Sequence, residues 1–493
     1  MDFLDPKKRR AHKIRLLLGY GLIGIAIAAA TTILLYQAYG FGLDKNGQVI
    51  QKGLVYVSSQ PGGAGIYVNG KLADNTNTRL NLQAGQYNVV LKRDGYRDWQ
   101  HAITVDGGMV IHYDYPFLFP VTLKTITKQT FNTAPLLITE SPDRRWLLVG
   151  QKSASDASLQ ITQYDLKNPT QAATSFNLPL TVSSINPKQD SWEVADWAND
   201  NQHVLLKHIY NGGSEYVLLN RDTAASSINL TKTLTGSAPQ IQLQNKKYDS
   251  YVIYDPTTLV LSTASLKAPT PQAWVEGVLA FQTYDTDTVL YATTTGVEAG
   301  KASIRLLQGG QTYSIRTVLS GSQYLLNLTK YSNNWIVAAG ASIEDKVYVY
   351  VNPVNALQAA PQQELVPITV LRVAGANALT FSSSAQFVMA ENGTKFAVYD
   401  AENDKTYTYT ATSSLDAQQT KASWMDGSRL TYVSGGKQVV VDFDNTNLQS
   451  LMPANASYTP LFDTAYKYAY AMASDSSGKL TLTSTQLVTD KDL

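Results

Sequence analysis

Between Arg15 and Asp44 the chain carries no charged residue, a gap of 28 positions. Its apolar centre, LLLGYGLIGIAIAAATTILLY, runs from Leu16 to Tyr36 and counts 21 residues. A helix of that length is roughly 31 Å long, the thickness of the hydrocarbon core of a bilayer. The pattern predicts one transmembrane helix over 16–39. Beyond it the period of the apolar positions falls to two. Gly40, Gly42, Gly47 and Gly53 mark 40–52 as a linker. The segments 54–58, 65–68, 78–82, 87–92 and 99–105 then alternate as strands. Asn69-Gly70 is the sharpest turn signal among them, because a two-residue hairpin loop needs positive φ at both positions. From 121 to 490 short alternating strands and polar turns continue, and no window holds a 3.6-residue period over a helix length. The expectation is an all-β ectodomain behind one helix. A small β-sandwich spans 53–106, a second linker 107–120, and a large repeating domain 121–490.

The small domain carries a recognisable run, Val57-Ser58-Ser59-Gln60-Pro61-Gly62-Gly63-Ala64-Gly65-Ile66-Tyr67-Val68-Asn69-Gly70-Lys71. It resembles the PEGA domain, whose pattern is V-x-S-x-P-E-G-A-x-V-x-V-[DN]-G-K. The later G-x-Y-x-V of that family is matched by Gly85-Gln86-Tyr87-Asn88-Val89. Its G-Y with a following aromatic is matched by Gly95-Tyr96 and Trp99. The sequence departs at Gly62, where the family prefers Glu, and over 75–78, where Gly-x-(S/T)-Pro is usual. The resemblance implies a surface module of bacterial and archaeal envelope proteins with no known catalysis. Read from the residues themselves, Pro61, Gly62, Gly63, Ala64, Asn69 and Gly70 shape turns. Tyr67, Tyr87 and Trp99 read as core.

The large domain repeats itself. A polar turn followed by an apolar strand occurs as Ser141-Pro142-Asp143-Arg144-Arg145-Trp146-Leu147-Leu148. It returns as Trp197-Ala198-Asn199-Asp200-Asn201-Gln202-His203-Val204 and as Trp424-Met425-Asp426-Gly427-Ser428-Arg429-Leu430. Weaker copies start at Tyr331 and Ser382. Seven or eight units begin near 135, 187, 238, 272, 323, 376, 418 and 455, which points to a seven- or eight-bladed β-propeller. The repeat resembles the TolB-like or WD-type propellers, whose blades carry a W/S-x-D-G-x-x-L turn and strand. A strand over 121–127 is expected to close the ring by pairing with the last blade. The repeated Trp residues are expected to pack between blades. The longer loops, 153–158, 222–227, 297–302 and 355–364, are the expected recognition elements.

Charge adds a direction. The chain has 40 Lys+Arg against 39 Asp+Glu, but residues 1–43 alone are +4, leaving −3 for the rest. Lys7, Lys8, Arg9, Arg10, Lys13 and Arg15 precede the apolar run, which places the N-terminus in the cytoplasm and everything after Asp44 outside. A cleaved signal peptide is the competing reading, since Ala26-Ile27-Ala28 and Ala28-Ala29-Ala30 suit a peptidase. Signal cores span 7–15 residues, whereas this one continues through Ile33, Leu34 and Leu35, favouring an uncleaved anchor. Gly24 and Ala28 permit close helix pairing, and the oligomeric state stays open. Near-neutrality argues against nucleic acid as a partner. The absence of cysteine removes disulfides, thiolate metal sites and Cys nucleophiles.

Chemistry is sparse. No G-x-S-x-G elbow or H-E-x-x-H occurs. His203 and His208 are five apart, so on one strand they face opposite sides. His101 and His112 lack an evident third ligand. Gly296-Val297-Glu298-Ala299-Gly300-Lys301 is too short for a phosphate loop and precedes no helix. Carboxylate candidates are Glu193 with Asp196, Asp285 with Asp287, and Asp400, Glu402 and Asp404. Solvated turns are their default role, and a glycosidase pair would need convergence from different blades. The sequence assigns no catalytic residue, cofactor or metal. It predicts a single-pass cell-surface protein, non-enzymatic, recognising envelope glycan or protein. The alternatives are a surface hydrolase acting on glycan or peptide through carboxylates at the propeller mouth, and a scaffold subunit of a membrane complex.

Overall fold

The computed structural model describes residues 6–38, 41–43, 49–184, 190–235, 240–360, 364–419 and 421–493. Gly40 and Gly47 of the expected linker, and the unit start near 187, lie outside these described residues. The chain divides into two compact units, Met1–Thr122 with Thr489–Asp492, and Leu123–Val488 with Leu493.

In the first unit a helix covers Pro6–Ala38. It begins before the expected span because proline suits the first helical turn and Lys and Arg are good helix formers. The six basic residues therefore lie on the helix itself. The stretch His12–Tyr36 is long and apolar enough to cross a membrane and none of it is buried, a test that an N-terminal signal sequence also meets. Thr31 and Thr32 donate their hydroxyls back to the carbonyls of Ile27 and Ala28, both at 2.8 Å. No side-chain polar group of that pair then needs water.

Two four-stranded sheets follow. One contains Phe41–Leu43, Val49–Val57, Thr78–Gln83 and Val110–Tyr113; the other contains Lys71–Asn75, Gly65–Val68, Gly85–Lys92 and Trp99–Val105. Val55, Val57 and Leu80 from the first meet Ile66, Leu91, Trp99 and Ile103 from the second in one apolar core. Both expected linkers need correction. Residues 41–43 and 49–51 pair as antiparallel strands. Residues 110–113 run parallel to 54–57, and Leu118 is buried in the core. Parallel pairing needs no hairpin, so its sequence carries no turn signal. Tyr67 also differs from expectation. Alternation from buried Ala64 and Ile66 turns it outward, and the Lys92 ammonium lies 5.8 Å from its ring centroid.

The second unit holds eight four-stranded antiparallel sheets among the described residues. Seven are built from consecutive strands, over 137–177, 190–229, 240–275, 280–319, 324–372, 378–410 and 423–453. The eighth joins 461–486 to Lys124–Thr130, so the first strand of the unit completes the last sheet. The unit expected near 272 starts at Ala280; Gln272–Val275 is the outer strand of the third sheet. A short helix, Pro353–Ala359, occupies part of the expected loop 355–364.

Neighbouring sheets share apolar clusters. Leu148 and Ile161 of the first pack with Trp197 and Leu206 of the second, and equivalent clusters join the second through sixth in turn. Phe387 of the sixth stacks on Phe443, in the turn between the third and fourth strands of the seventh, centroids 4.2 Å apart. Leu147 and Val149 of the first meet Tyr470 and Met472 of the eighth, which brings the last sheet against the first. Two repeated Trp residues make the same polar link. Trp197 donates its indole N–H to Thr139 at 2.8 Å and Trp424 to Thr380 at 3.0 Å, each reaching the preceding sheet.

Candidate functional site

The repeated turn joins the first and second strands of each sheet, and its polar residue has a local task. Asp200 accepts from the amides of Gln202 and His203 at 2.9 and 3.0 Å. Asp426 accepts from Ser428 and Arg429, both at 2.8 Å. Asp463 accepts from Tyr468 at 2.7 Å. A side-chain oxygen that caps amides two to five residues ahead fixes a tight turn, which accounts for the motif without a ligand. Adjacent turns also bond to each other. The Asp143 amide donates to Asn201 Oδ1 at 3.1 Å, Gln244 Nε2 to the Thr286 carbonyl at 3.2 Å, and Thr464 Oγ1 to the Asp143 carbonyl at 2.5 Å.

The carboxylates singled out from the sequence do not converge. Asp400 is buried, accepting from the Glu402 and Asn403 amides and from Gln386 Nε2. Glu402 accepts from the Tyr331 hydroxyl and Asp404 from Tyr399 at 3.0 Å. Glu193 lies 3.9 Å from Lys207 Nζ, while Asp196 pairs with Lys246. Asp285 accepts from the Asp287 amide at 3.2 Å.

The histidines separate as well. His203 sits 2.6 Å from Asp200. His208 is buried against Trp192, ring centroids 4.1 Å apart, with Nδ1 3.0 Å from Glu215. Glu215 also accepts from the Ser184 amide and Asn229 Nδ2. Burial pushes its carboxyl up, but these hydrogen bonds outweigh that and hold it below the ordinary range. His101 and His112 occupy different sheets. Among the described residues no three His, Asp or Glu side chains are grouped to hold a metal ion. The four long loops do not share one end of the sheets. Loops 153–158 and 297–302 join second to third strands, whereas 222–227 and 355–364 join third to fourth. Alternate turns of an antiparallel sheet lie at opposite ends.

One carboxylate pair escaped the sequence reading. Glu140 of the first sheet accepts from the Phe462 amide at 3.2 Å and lies 3.5 Å from Arg144 Nε. Burial raises Glu140 to about 7, with Arg144 opposing and Asp463 adding to the rise. Asp463 is itself raised by burial. The two are over 300 residues apart, and only the juxtaposition of the first and eighth sheets unites them. In the unfolded chain Glu140 loses its proton near 4.5, so between that pH and about 7 the folded state holds a proton the unfolded state has lost. Stability therefore drains away as pH rises through this window, by on the order of 2–3 kcal/mol from this group. Melting temperatures at pH 5 and pH 8 should differ more for the wild type than for Glu140→Gln.

The PEGA-like unit presents a different surface. Its motif residues build turns. Asn69 and Gly70 both have positive φ, and Asn69 Oδ1 accepts from the Asn88 amide at 2.9 Å. Gly63 also has positive φ, and the Ala64 amide donates to Thr76 Oγ1 at 3.0 Å. Pro61 follows a cis peptide bond, and a side chain on Gly62 would meet Asn77 Nδ2 at 2.8 Å. On the solvent side of the first sheet, Tyr56 is paired across strands with Arg79 on one side and His112 on the other. Tyr56 and His112 stack with centroids 4.7 Å apart and planes 3° from parallel. Asn81 neighbours this aromatic stack on the same face of the sheet.

Among the described residues these features define one apolar helix of membrane-spanning length, a small two-sheet module and an array of eight four-stranded sheets. The PEGA domain family profile matches residues 52–118. No protein with a curated description matches the sequence. Among solved structures, similarity extends to an oligogalacturonate lyase in complex with manganese, 12% identical over 75% of this chain and 98% of that one, TM-score 0.40. An oligogalacturonate lyase from Vibrio parahaemolyticus is 10% identical over 75% of this chain and 99% of that one, TM-score 0.39. Dipeptidyl peptidase 4 from Porphyromonas gingivalis is 12% identical over 73% of this chain and 60% of that one, TM-score 0.45.

Proposed function

We propose that this is a single-pass membrane protein with a cytoplasmic N-terminus, whose PEGA domain and eight-bladed propeller bind the cell envelope from outside. The order of parts supports the placement: six basic residues, an apolar helix of membrane-spanning length, then a segment that matches the PEGA domain. The observation that carries the binding role is the Tyr56–His112 stack on the solvent side, with Arg79 and Asn81 beside it. The two rings lie face to face and each covers one face of the other; their outer faces and edges, with the Arg79 and Asn81 side chains beside them, offer the apolar and hydrogen-bonding groups that suit the C–H faces and hydroxyl edges of a sugar ring. Envelope glycan is therefore the preferred ligand of this module.

The test uses full-length protein in detergent micelles, incubated with fractionated cell envelope. Purified wall polymer should retain it, and Tyr56→Ala should weaken retention about fivefold, the effect of ~1 kcal/mol. Retention by protein complexes alone would overturn the glycan reading and favour a scaffold. A hydrolase remains the second reading because half-buried Glu140 and buried Asp463 feel each other's charge and both carboxyls are raised by burial. Turnover of wall polymer that Glu140→Gln abolishes would establish it.

A further inference from the structure

A cleft of about 670 Å³ opens between the fifth and sixth sheets of the large unit, within the range of small-ligand sites. Three cations line it: Lys346 and Arg372 from the fifth sheet, and Lys395 from the sixth. Lys346 and Arg372 are directly paired across neighbouring antiparallel strands. Side chains so placed have Cβ atoms about 5 Å apart, and like charges there repel. Lys395 begins the strand paired with Lys405–Thr410, opposite Thr410.

Surface cations facing one another normally have a carboxylate between them. Among the described residues none of these three forms an ion pair. Two acidic residues also line the cleft, and each is oriented by a backbone amide outside the lining. Glu344 accepts from the Leu319 amide at 2.7 Å, and Asp345 from the Gly375 amide at 2.7 Å. The exposed hydroxyl-bearing residues Thr408 and Thr410 complete the wall. The fold has thus gathered two ammonium groups and a guanidinium at one concave place, none of them held in an ion pair, where they outnumber the two carboxylates of the lining and stand beside hydroxyl groups.

We propose that this cleft binds the phosphodiester groups of an anionic envelope polymer, a phosphate-linked polyol or glycan chain. Arg372 supplies a planar fork that matches two non-bridging oxygens, and the two lysines supply point charges for the same or the next phosphate along the chain. A ligand with repeated charges suits three separated cations better than one isolated carboxylate does. The proposal extends the envelope-binding reading to a second site, on a different unit and for a different chemistry.

The experiment measures binding of purified full-length protein to poly(glycerol phosphate), with polyglucuronate and dextran as the carboxylate and neutral polymers. Poly(glycerol phosphate) should bind most tightly and weaken as salt rises. Arg372→Gln should reduce affinity about tenfold, and the triple variant Lys346→Gln/Arg372→Gln/Lys395→Gln should abolish binding. Neither variant should melt below the wild type, since each removes a repulsive pair rather than a support. Lys437→Gln, an exposed lysine elsewhere on the same unit, controls for net charge and should bind normally. Unaltered binding by the triple variant, an equal loss in Lys437→Gln, preference for polyglucuronate, or no binding by the wild type would each overturn the proposal. Retention of the triple variant by whole wall fractions would still leave the glycan reading of the PEGA domain standing.

Discussion

Replacing Gly340 with alanine is expected to unfold the fifth sheet. Gly340 lies on Asn334–Ala341, opposite Val347 on the next strand. A β-carbon there would stand 2.1 Å from the Lys346 carbonyl oxygen and 3.1 Å from the Val347 Cα. Both are backbone atoms, so no rotamer change relieves the clash, and the two strands must part. Val337, Ala339, Val347 and Val349, all fully buried, would lose their packing with them. The cost should reach about 3 kcal/mol, the upper end for overpacked cores. Gly213 provides the contrast. A β-carbon there meets the Tyr210 hydroxyl at 3.3 Å, the far end of a side chain able to move, so Gly213→Ala should melt nearly as the wild type does. Thermal unfolding followed by circular dichroism separates the two, and equal melting temperatures would refute the argument.

The second large effect concerns closure. Lys124–Thr130 is the fourth strand of the eighth sheet, paired with Leu480–Gln486. Thr125 and Thr485 join hydroxyls at 2.7 Å, and Thr485 is fully buried. Alternate residues of an antiparallel strand direct their amides at the partner. Proline at both 125 and 126 therefore removes at least one ladder donor whichever phase holds. The paired strand would then become an open edge, with its buried threonines meeting water. Thr125→Pro/Ile126→Pro should destabilise the large unit by about 1–3 kcal/mol, the cost of leaving a ladder carbonyl without its donor. It should also expose the region after 460 to protease before the rest of the unit melts. A melting profile and proteolysis pattern unchanged from the wild type would show that this strand does not hold the array closed.

Both effects depend on contacts distant in sequence, and they mark where the sequence is legible. Local signals carried far: the two-residue period, the Asn69-Gly70 turn and the recurring Asp turns place most strands and most sheet starts. The early closing strand was also foreseeable, because a repeat array needs its ends joined. The third sheet's boundary was missed because Gln272–Val275 and Ala280–Thr283 are both short and four residues apart, spaced like a hairpin. The 110–113 strand was missed because it pairs in parallel. Sites were harder still. Asp400, Glu402 and Asp404 cluster in sequence yet serve three different partners. Glu140 and Asp463, or Lys346 with Arg372 and Lys395, become neighbours only through pairing and packing that no local pattern encodes.

Envelope binding from outside the cell requires one orientation of the chain about its helix. Because the protein has no cysteine, single thiols report position without background. His12→Cys, at the basic end, and Ser476→Cys, in an exposed turn of the large unit, place one thiol on each side of the helix. Full-length variants in right-side-out membrane vesicles would be treated with a membrane-impermeant maleimide, before and after detergent. The account predicts that position 476 labels at once, that position 12 labels only after detergent, and that both remain with the membrane. Labelling at 12 but not 476, or release of an N-terminally shortened chain carrying position 476, would contradict it.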